Sequence, residues 1–381
     1  MMRRARFLLP FLLLATACGG GGGGTATAQG PSRDRPFQIE AVGQFAEPWA
    51  MTFLPDGSLL VTEKRGALKL RRPNGNVLDV TGAPQVSYGG QGGFGDVVLH
   101  PGFASNRRVY LSWVEAGEGG TRGAVVGRAR FNLSEAGASL SDLQVIWRQA
   151  PKVDGGGHFS HRIAFGPDGK LYISSGERQK MEPAQDMAGA LGKVIRLNDD
   201  GSVPADNPFA ARGGVTAQIW SLGHRNLLGL AFDSQGRLWN TEMGPQGGDE
   251  LNLVTRGANY GWPRVSNGSH YGGAPIPDHA AGDGFEAPKV WWNPSISPSS
   301  LMIYSGSMFP EWRGDAFIGA LSGEALIRVD LDGTNARKAD QWPMNARIRE
   351  VEQAPDGALW LLEDGSGRLL RLARPRAAGA G

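Results

Sequence analysis

One short phrase recurs along this chain and restricts its fold more than any other feature. It consists of an apolar residue, a Pro-Asp-Gly type of turn and an alternating strand. It appears as FLPDGSLLVTEKRGALKL from Phe53, FGPDGKLYISSGER from Phe165, FDSQGRLWNTEMG from Phe232 and QAPDGALWLLEDGSGRLLRL from Gln353. A looser relative, FIGALSGEALIRVDLDG, begins at Phe317. The spacings are roughly two, one and two units of about 60 residues, which indicates repeated supersecondary units.

A repeat of this length favours an all-β fold, a six-bladed β-propeller with a pocket on its axis. The chain has 58 glycines, 24 prolines and 11 tryptophans in 381 residues, which is typical of many short strands joined by tight turns. The turn glycines of the repeated phrase are Gly57, Gly169, Gly236 and Gly357.

We expect one propeller domain over residues 35–374, followed by a short tail at 375–381. A strand near residues 38–42 could close the ring by pairing with residues 368–372. No linker interrupts the sequence between these two ends.

The N-terminus has the composition of a targeting segment. Three arginines precede an apolar run at residues 7–14, which is too short to span a bilayer. The run ends in ATAC, which resembles a bacterial lipobox and predicts a signal segment over residues 1–18 with a lipid on Cys18. Ordinary cleavage after Ala28 is the alternative, and residues 19–34 form a Gly-rich tether. Both routes predict export, to the periplasm or as an outer-membrane-anchored lipoprotein, with membrane contact only through the lipid.

Charge and cysteine content exclude other classes. The net charge is +2, from 39 basic and 37 acidic residues without a basic block, so nucleic acid is not an expected partner. Cys18 is the only cysteine, so the mature fold has no intramolecular disulfide. Its stability must come from the core, from strand closure or from bound metal.

Two glycine-rich segments contain residues suited to chemistry. In GGQGGFGDVVLHPGF, Gln91 is the side chain able to contact a ligand, although a plain loop is the alternative. In GGGHFSHRIAF, His158 can act as a general base if it lies in a water-poor pocket. A solvated loop histidine is the other interpretation. A zinc site with His161 lacks a third ligand nearby.

A third segment, IWSLGHRNLLGLAF, places Arg225 and Asn226 at a probable strand end. A buried guanidinium there needs an anion or several carbonyls, which leaves a structural carboxylate or a carboxylate-bearing cofactor as its partner.

A fourth segment, TEMGPQGGDELNLVTRGANYGWP, has the character of a metal site. Its Gly244-Pro245 pair leaves carbonyls without ladder partners, and Asp249 and Glu250 follow closely. Such oxygens suit Ca²⁺, whereas a tight turn with solvated acids is the alternative. All four segments fall near strand ends of different repeats, and in a propeller such ends converge on the axis.

The ordered set GQGG, GGHFSHRIAFGPDG, GHRN, EMGPQGGDELN and GANYGWP resembles the soluble quinoprotein glucose/sorbosone dehydrogenase family. It is most similar to the bacterial aldose sugar dehydrogenase branch. Residues 184–209, AQDMAGALGKVIRLNDDGSVPADNPF, and residues 293–306, NPSISPSSLMIYSG, also resemble that branch. The resemblance covers residues 36–374.

The resemblance implies a six-bladed propeller that holds pyrroloquinoline quinone (PQQ) and Ca²⁺ and oxidises aldoses at C1 to lactones, with an external electron acceptor. It implies His158 as the general base while hydride moves to quinone C5, and Arg225 as the group that stabilises negative charge on the quinone. The implied cofactor contacts are Gln91, Asn226, Tyr271, Arg347 and Arg349. The implied metal ligands are the carbonyls of Gly244 and Pro245 for the Ca²⁺ that polarises the quinone, and Glu250 and the Tyr260 backbone for a second, structural Ca²⁺.

The chain departs from the family pattern at two positions. Gly157 stands where some members have an aspartate beside the base, so the orientation of His158 must come from elsewhere. Ser322 stands where the family usually has a cofactor-binding lysine, for which Lys193 or Arg328 could substitute.

Two other functions compete with the sugar dehydrogenase. A calcium-dependent lactonase would hold its Ca²⁺ with several side chains, whereas the Gly244-Pro245 site is mostly backbone. An exported propeller could instead bind a glycan or a partner protein without redox activity, and Ser322 favours it. The buried arginines of the dehydrogenase set argue against a mere scaffold.

Overall fold

In the computed structural model, which describes residues 35–135 and 137–375, the chain folds into 26 short strands. The first thirteen are β1 Gln38–Gln44, β2 Pro48–Phe53, β3 Leu59–Glu63, β4 Leu68–Arg71, β5 Val77–Thr81, β6 Phe94–Leu99, β7 Arg108–Ala116, β8 Arg122–Ser134, β9 Gly137–Arg148, β10 Ser160–Phe165, β11 Leu171–Ser175, β12 Lys193–Leu197 and β13 Ile219–Leu222. The others are β14 Leu227–Phe232, β15 Leu238–Glu242, β16 Gln246–Gly247, β17 Asp249–Val254, β18 Gly268–Ser269, β19 Val290–Trp292, β20 Met302–Ile303, β21 Ala316–Ala320, β22 Ala325–Asp332, β23 Asn335–Pro343, β24 Ile348–Gln353, β25 Leu359–Glu363 and β26 Arg368–Ala373.

Helix is scarce in the described residues. One α-helical turn, α1, spans Phe103–Asn106, and the 3₁₀ turns are Glu118–Gly120, Glu182–Ala184, Ala210–Arg212, Thr216–Gln218 and Pro310–Trp312. No helix within 35–135 or 137–375 is long and apolar enough to cross a membrane. The predicted signal segment, the tether, Cys18 and residues 376–381 of the tail lie outside the described residues, so those expectations stay predictions.

Of the 26 strands, 24 pair into six antiparallel groups of four, which we call blades 1 to 6, while β16 and β18 form a separate two-stranded sheet. The blades are β2–β5, β6–β9, β10–β13, then β14, β15, β17 and β19, then β20–β23, and finally β24, β25, β26 and β1. Blades 1 and 2 are also joined by a short parallel pairing of their outer strands, β5 and β9. The first strands contact one another in a closed cycle, in the order β2, β6, β10, β14, β20, β24 and back to β2. The expected β-propeller is therefore confirmed.

The ring closes where the sequence predicted. Strand β1 pairs antiparallel with β26, from Gln38 opposite Ala373 to Gln44 opposite Arg368. The last blade thus takes one strand from the start of the domain and three from its end. This closure ties the two ends together and leaves no blade incomplete.

The repeated phrase marks the same place in blades 1, 3, 4 and 6, the turn between the first and second strand. The four turn glycines have φ of +80°, +70°, +76° and +82°, a region that glycine enters without steric cost. In the less similar copy of the phrase, Phe317 lies on β21, the second strand of blade 5. The turn of this copy therefore joins the second and third strands. Blades 2 and 5 replace the tight turn with α1 and with the 3₁₀ turn Pro310–Trp312.

The core lies between neighbouring blades. All five residues of β3, β11, β15, β21 and β25, the second strands of five blades, are buried. These strands are covered on both faces, so they need no alternation of apolar and polar residues, and polar side chains such as Asn240 and Thr241 of β15 are buried together with the apolar ones. Burial from both sides makes the strands a rigid frame for the residues at their ends.

Candidate active site

Antiparallel pairing brings two sets of residues to one end of the axis. Residues just before a first strand lie beside residues just after the second strand of the same blade. An axial cavity of about 500 Å³ opens there. Its wall includes Trp49, Lys64, Gln91, Phe159, Ser160, His161, Met243, Leu321, Arg347, Arg349 and Asp364. The expected axial pocket is therefore present, and Gln91, Arg347 and Arg349 line it.

Gln91 holds the histidine loop in place. Its side-chain Oε1 accepts the backbone N–H of His158 at 2.7 Å, and its own N–H donates to the Gly156 carbonyl at 2.7 Å. A Cβ on Gly90 would lie 2.5 Å from that same carbonyl. The glycines ahead of His158 and around Gln91 therefore allow two loops of the protein to approach each other closely.

His158 is buried, with 6% of its surface exposed, and its backbone has φ of +49°. Its Nδ1 is bonded to Oε1 of Glu177, which follows β11, so Nε2 is the nitrogen left to accept a proton. Burial lowers the pKa of His158, against the opposing effect of Glu177. The imidazole is therefore neutral at neutral pH, as a general base must be.

Glu177 keeps its charge in this buried place. Burial alone would raise its pKa, but the bond to His158 and the N–H of Met181, at 2.6 Å from Oε2, hold it below the usual value. The acid orients the imidazole from the side opposite Nε2. Glu177 thus fixes the orientation of His158, for which the sequence, with Gly157 in place of an aspartate, offered no explanation.

The space beside Gly157 is filled by Gln179. A Cβ on Gly157 would lie 2.5 Å from Oε1 of Gln179. The departure from the family at Gly157 is thus accompanied by a neighbouring carboxamide that occupies the room of a side chain there.

Arg178, which follows Glu177, clamps the same loop. It is fully buried, and its Nε and Nη2 donate to the carbonyls of Gly157 and Gly155 at 2.9 and 2.7 Å. Its Nη1 donates to the Arg122 carbonyl, and the guanidinium lies 3.7 Å from the centre of the Phe159 ring. Burial lowers the pKa of Arg178 to about 10. No motif of the sequence predicted Glu177, Arg178 or Gln179 as a site residue.

Arg225 is buried at the start of β14 and is held by carbonyls. Its Nη1 donates to the Met243 and Gly244 carbonyls at 3.0 and 2.7 Å, and its Nη2 donates to the Tyr271 hydroxyl at 3.1 Å. Its buried Nε finds no acceptor among the described residues. Tyr271 is 74% exposed, so the insertion that carries it reaches the site from the solvent side.

Asn226 is placed behind the cavity wall. It is fully buried, its Oδ1 accepts the Ser160 hydroxyl at 3.1 Å, and its Nδ2 lies 3.7 Å from the sulfur of Met243. Both of these partners line the cavity, so Asn226 reaches it through them.

A smaller cavity, of about 10 Å³, lies beside Arg225 and has room for one water-sized atom. It is lined by Glu242, Gly244, Glu250, Tyr260 and Trp262 among others, which brings together three of the four expected metal residues. Pro245 is buried but does not line it.

The acids around this cavity differ in role. Asp249 is committed to backbone, since it accepts the N–H groups of Gly244, Ile296 and Ser297 at 2.7–2.8 Å. Burial and the charge of Glu242 raise the pKa of Glu250 well above its usual value. A divalent cation in the cavity would offset both effects. The described residues contain no group of three His, Cys, Asp or Glu side chains fit to hold a metal, so carbonyls would have to complete the ligand set.

At the open cavity, Arg347 and Arg349 meet on one carboxylate. Their Nε atoms donate to the two oxygens of Asp364 at 2.9 and 3.3 Å, and Nη2 of Arg349 adds a bond of 3.0 Å. Both arginines therefore reach the same carboxylate, although only Arg349 lies on β24, which begins at Ile348. Lys64 joins this wall after β3.

The two substitutes expected for Ser322 are wrong. Lys193 is fully buried, and its ammonium donates to the carbonyls of Pro183, Ala184 and Leu191 at 2.6–3.0 Å. Arg328 pairs with two aspartates on blade 5. Neither lines the cavity, and Ser322 bonds the hydroxyl of Ser297 at 2.7 Å.

Similarity to known proteins identifies the family of this chain. The profile of the glucose/sorbosone dehydrogenase family matches residues 45–371. The chain belongs to this family. It is 40% identical over 334 residues to the aldose sugar dehydrogenase YliI of Escherichia coli K12, over 85% of this chain and 89% of that protein. As a member of the family it is an oxidoreductase, which confirms the resemblance read from the motifs.

Solved structures give the same result. The apo-form of the soluble aldose sugar dehydrogenase of Escherichia coli superposes with a TM-score of 0.84 at 37% identity, over 89% of this chain and all of that chain. The PQQ-bound form of an aldose sugar dehydrogenase from Streptomyces coelicolor gives 0.73 at 29% identity, over 90% of this chain and 99% of that one.

Proposed function

We propose that this protein oxidises aldose sugars at C1 to lactones, with PQQ as electron acceptor and Ca²⁺ as activating ion. The observation that carries the proposal is the buried, neutral His158, whose Nδ1 is fixed by Glu177 beside an axial cavity with cations in its wall. PQQ, when bound, would take up the two electrons of the sugar as a hydride.

His158 is the base of the proposed reaction. The hydroxyl proton of C1 passes to Nε2, the C1–H bond breaks with its electron pair, and the C1–O bond becomes a carbonyl. Glu177 stabilises the imidazolium that forms, because its carboxylate accepts Nδ1–H. The clamped loop fixes the imidazole before the sugar arrives, so little reorganisation is needed.

The cavity fits a flat, polyanionic cofactor. Arg347 and Arg349 bring two guanidinium groups to one side of it, with a single carboxylate, Asp364, between them. Arg225 lines the smaller cavity, which shares Met243 with the axial one. Its Nε, without an acceptor among the described residues, is a donor ready for an oxygen atom. These groups would bind the carboxylates and the quinone oxygens, and Gln91 and Tyr271 would complete the contacts.

The small cavity fits a calcium ion in charge and size. Glu250 and the Tyr260 backbone would hold a structural Ca²⁺ there, and the carbonyls of Gly244 and Pro245 would hold the ion that polarises the cofactor. The hydrogen bond from Arg225 to the Gly244 carbonyl uses one of its two lone pairs.

The test is a titration of purified apoprotein with PQQ in the presence of Ca²⁺, followed by dye-linked oxidation of glucose and a panel of other aldoses. We expect saturable activity that a chelator removes and Ca²⁺ restores. Lactone hydrolysis measured on the same samples covers the competing function, and hydrolysis without dye reduction would replace the proposal.

A further inference from the structure

Lys64 is one of the cations of the cavity wall, and hydrogen bonds hold its backbone in place. Its N–H donates to the Glu47 carbonyl at 2.9 Å, and its own carbonyl accepts the N–H of Phe94 at 2.8 Å. A Cβ on Gly93 would lie 2.1 Å from that carbonyl, so the neighbouring loop packs directly against it. The Lys64 side chain therefore starts from a rigid point at the end of β3.

The ammonium of Lys64 has spare donors. Its Nζ donates to the Gly90 carbonyl at 2.6 Å, which uses one of three N–H bonds, and this is its one hydrogen bond in the described part of the chain. Within that part, no carboxylate comes within ion-pair distance of Nζ. The group thus faces the cavity with two donors free.

The charges of the wall do not balance. Asp364 is shared by Arg347 and Arg349. Glu47, the other acid of the wall, is paired at 2.6 Å with Arg65, which lies outside the wall. No third acid of the described residues lines the wall to pair with Lys64. Burial and the positive charge of Arg349 lower the pKa of Lys64, against the smaller opposing effects of Glu47 and Asp364. An anionic ligand in the cavity would relieve both effects.

We propose that Lys64 binds a carboxylate of the cofactor and forms a three-cation site with Arg347 and Arg349. This rests on the proposed function, since it assigns a further residue to the same ligand. The guanidinium pair shares one aspartate and contributes one net charge, and Lys64 contributes the second. A ligand with several carboxylates therefore meets a wall whose charge depends on Lys64 as much as on the arginines.

The experiment measures equilibrium binding of PQQ to the Ca²⁺-loaded apoprotein by quenching of tryptophan fluorescence, to which Trp49 of the wall contributes. Lys64→Gln keeps an N–H donor for the Gly90 carbonyl and removes the charge. Lys64→Arg keeps the charge. Arg72→Gln, in the turn after β4, is the matched control because it removes one cation of the same blade outside the cavity wall.

We expect Lys64→Gln to raise the Kd for PQQ by about tenfold to a hundredfold, the range of a charge-assisted bond. Lys64→Arg and Arg72→Gln should stay within about threefold of the wild type. The trimethyl ester of PQQ, which lacks the negative charges, should bind wild type and Lys64→Gln equally.

Three results would overturn the inference. Equal PQQ affinity of wild type and Lys64→Gln would remove Lys64 from the site and leave the proposed function standing. An equal loss for PQQ and for its ester would show that Lys64 acts only by holding Gly90. Absence of PQQ binding to the wild type would reject the proposed function as well.

Discussion

The loop that carries His158 depends on Arg178, and the change Arg178→Met measures by how much. The guanidinium donates to three carbonyls, those of Gly155, Gly157 and Arg122, and it is fully shielded from solvent. Methionine keeps much of the volume and the contact with the Phe159 ring, but it leaves all three acceptors without their donor.

The size of the effect follows from those three bonds. A hydrogen bond from a charged donor contributes about 1.5–3 kcal/mol. We take the lower end, because burial opposes the charge of Arg178 and lowers its pKa to about 10. Three such bonds amount to about 4.5 kcal/mol of unfolding free energy. The clamped loop also fixes the base, so the loss in kcat should exceed the loss in cofactor affinity.

The assay is urea unfolding followed by circular dichroism, together with kcat of the PQQ-loaded enzyme. Arg130→Met is the control, since Arg130 is exposed on β8, and it should change the unfolding free energy by less than about 0.5 kcal/mol. Arg178→Lys keeps one donor group and should recover part of the loss. An Arg178→Met protein as stable and as active as the wild type would refute the clamp.

Three further predictions concern carboxylates. Glu177→Gln should lower kcat/KM by about a hundredfold. Glu177 raises the pKa of His158, so its loss should lower that pKa further. The acid limb of the pH–rate profile, which lies below pH 6.5 in the wild type, should therefore move to still lower pH. Burial raises the pKa of Glu350 to about 8, above its value of 4.5 in the unfolded chain. The free energy of unfolding should therefore fall as the pH rises from 4.5 to 8. Urea unfolding at both pH values should show a smaller fall for Glu350→Gln than for the wild type. Glu250→Gln should reduce the rise in melting temperature that Ca²⁺ produces, while the exposed Glu118→Gln should leave that rise unchanged; equal responses would argue against a calcium site at Glu250.

The sequence predicted the fold well because a propeller repeats one local unit. The turn glycines such as Gly57 need positive φ wherever a first strand meets a second strand at a tight turn, so the phrase marks four of the six blades directly. It failed in blades 2 and 5, where α1 and a 3₁₀ turn take the place of that turn. The copy of the phrase at Phe317 consequently spans the second and third strands of blade 5, and not the first and second.

The site was predicted less completely, for a reason of geometry. Residues that precede the first strands, such as His158 and Arg225, stand out as motifs in the sequence. Their partners after the second strands, such as Glu177 and Lys64, lie in ordinary strand-to-turn sequence. Only the antiparallel pairing brings Glu177 to His158. The polar residues that end each repeated phrase were the available signal.

Burial explains the failure at Lys193. Its position within KVIRL gives no sign that three carbonyls surround the ammonium, so the sequence alone makes this lysine a candidate for the cavity. A residue's side of the sheet is visible in an alternating strand but not in one buried on both faces, as β12 is.

The most direct test of the central claim is C1 oxidation of an aldose by the Ca²⁺- and PQQ-loaded protein and by its His158→Ala variant, with PQQ binding measured on both. We expect lactone formation and dye reduction by the wild type. In the variant we expect a loss of kcat of at least about a hundredfold with little change in the Kd for PQQ. Wild-type levels of lactone formation by a His158→Ala protein that still binds PQQ would show that His158 is not the base.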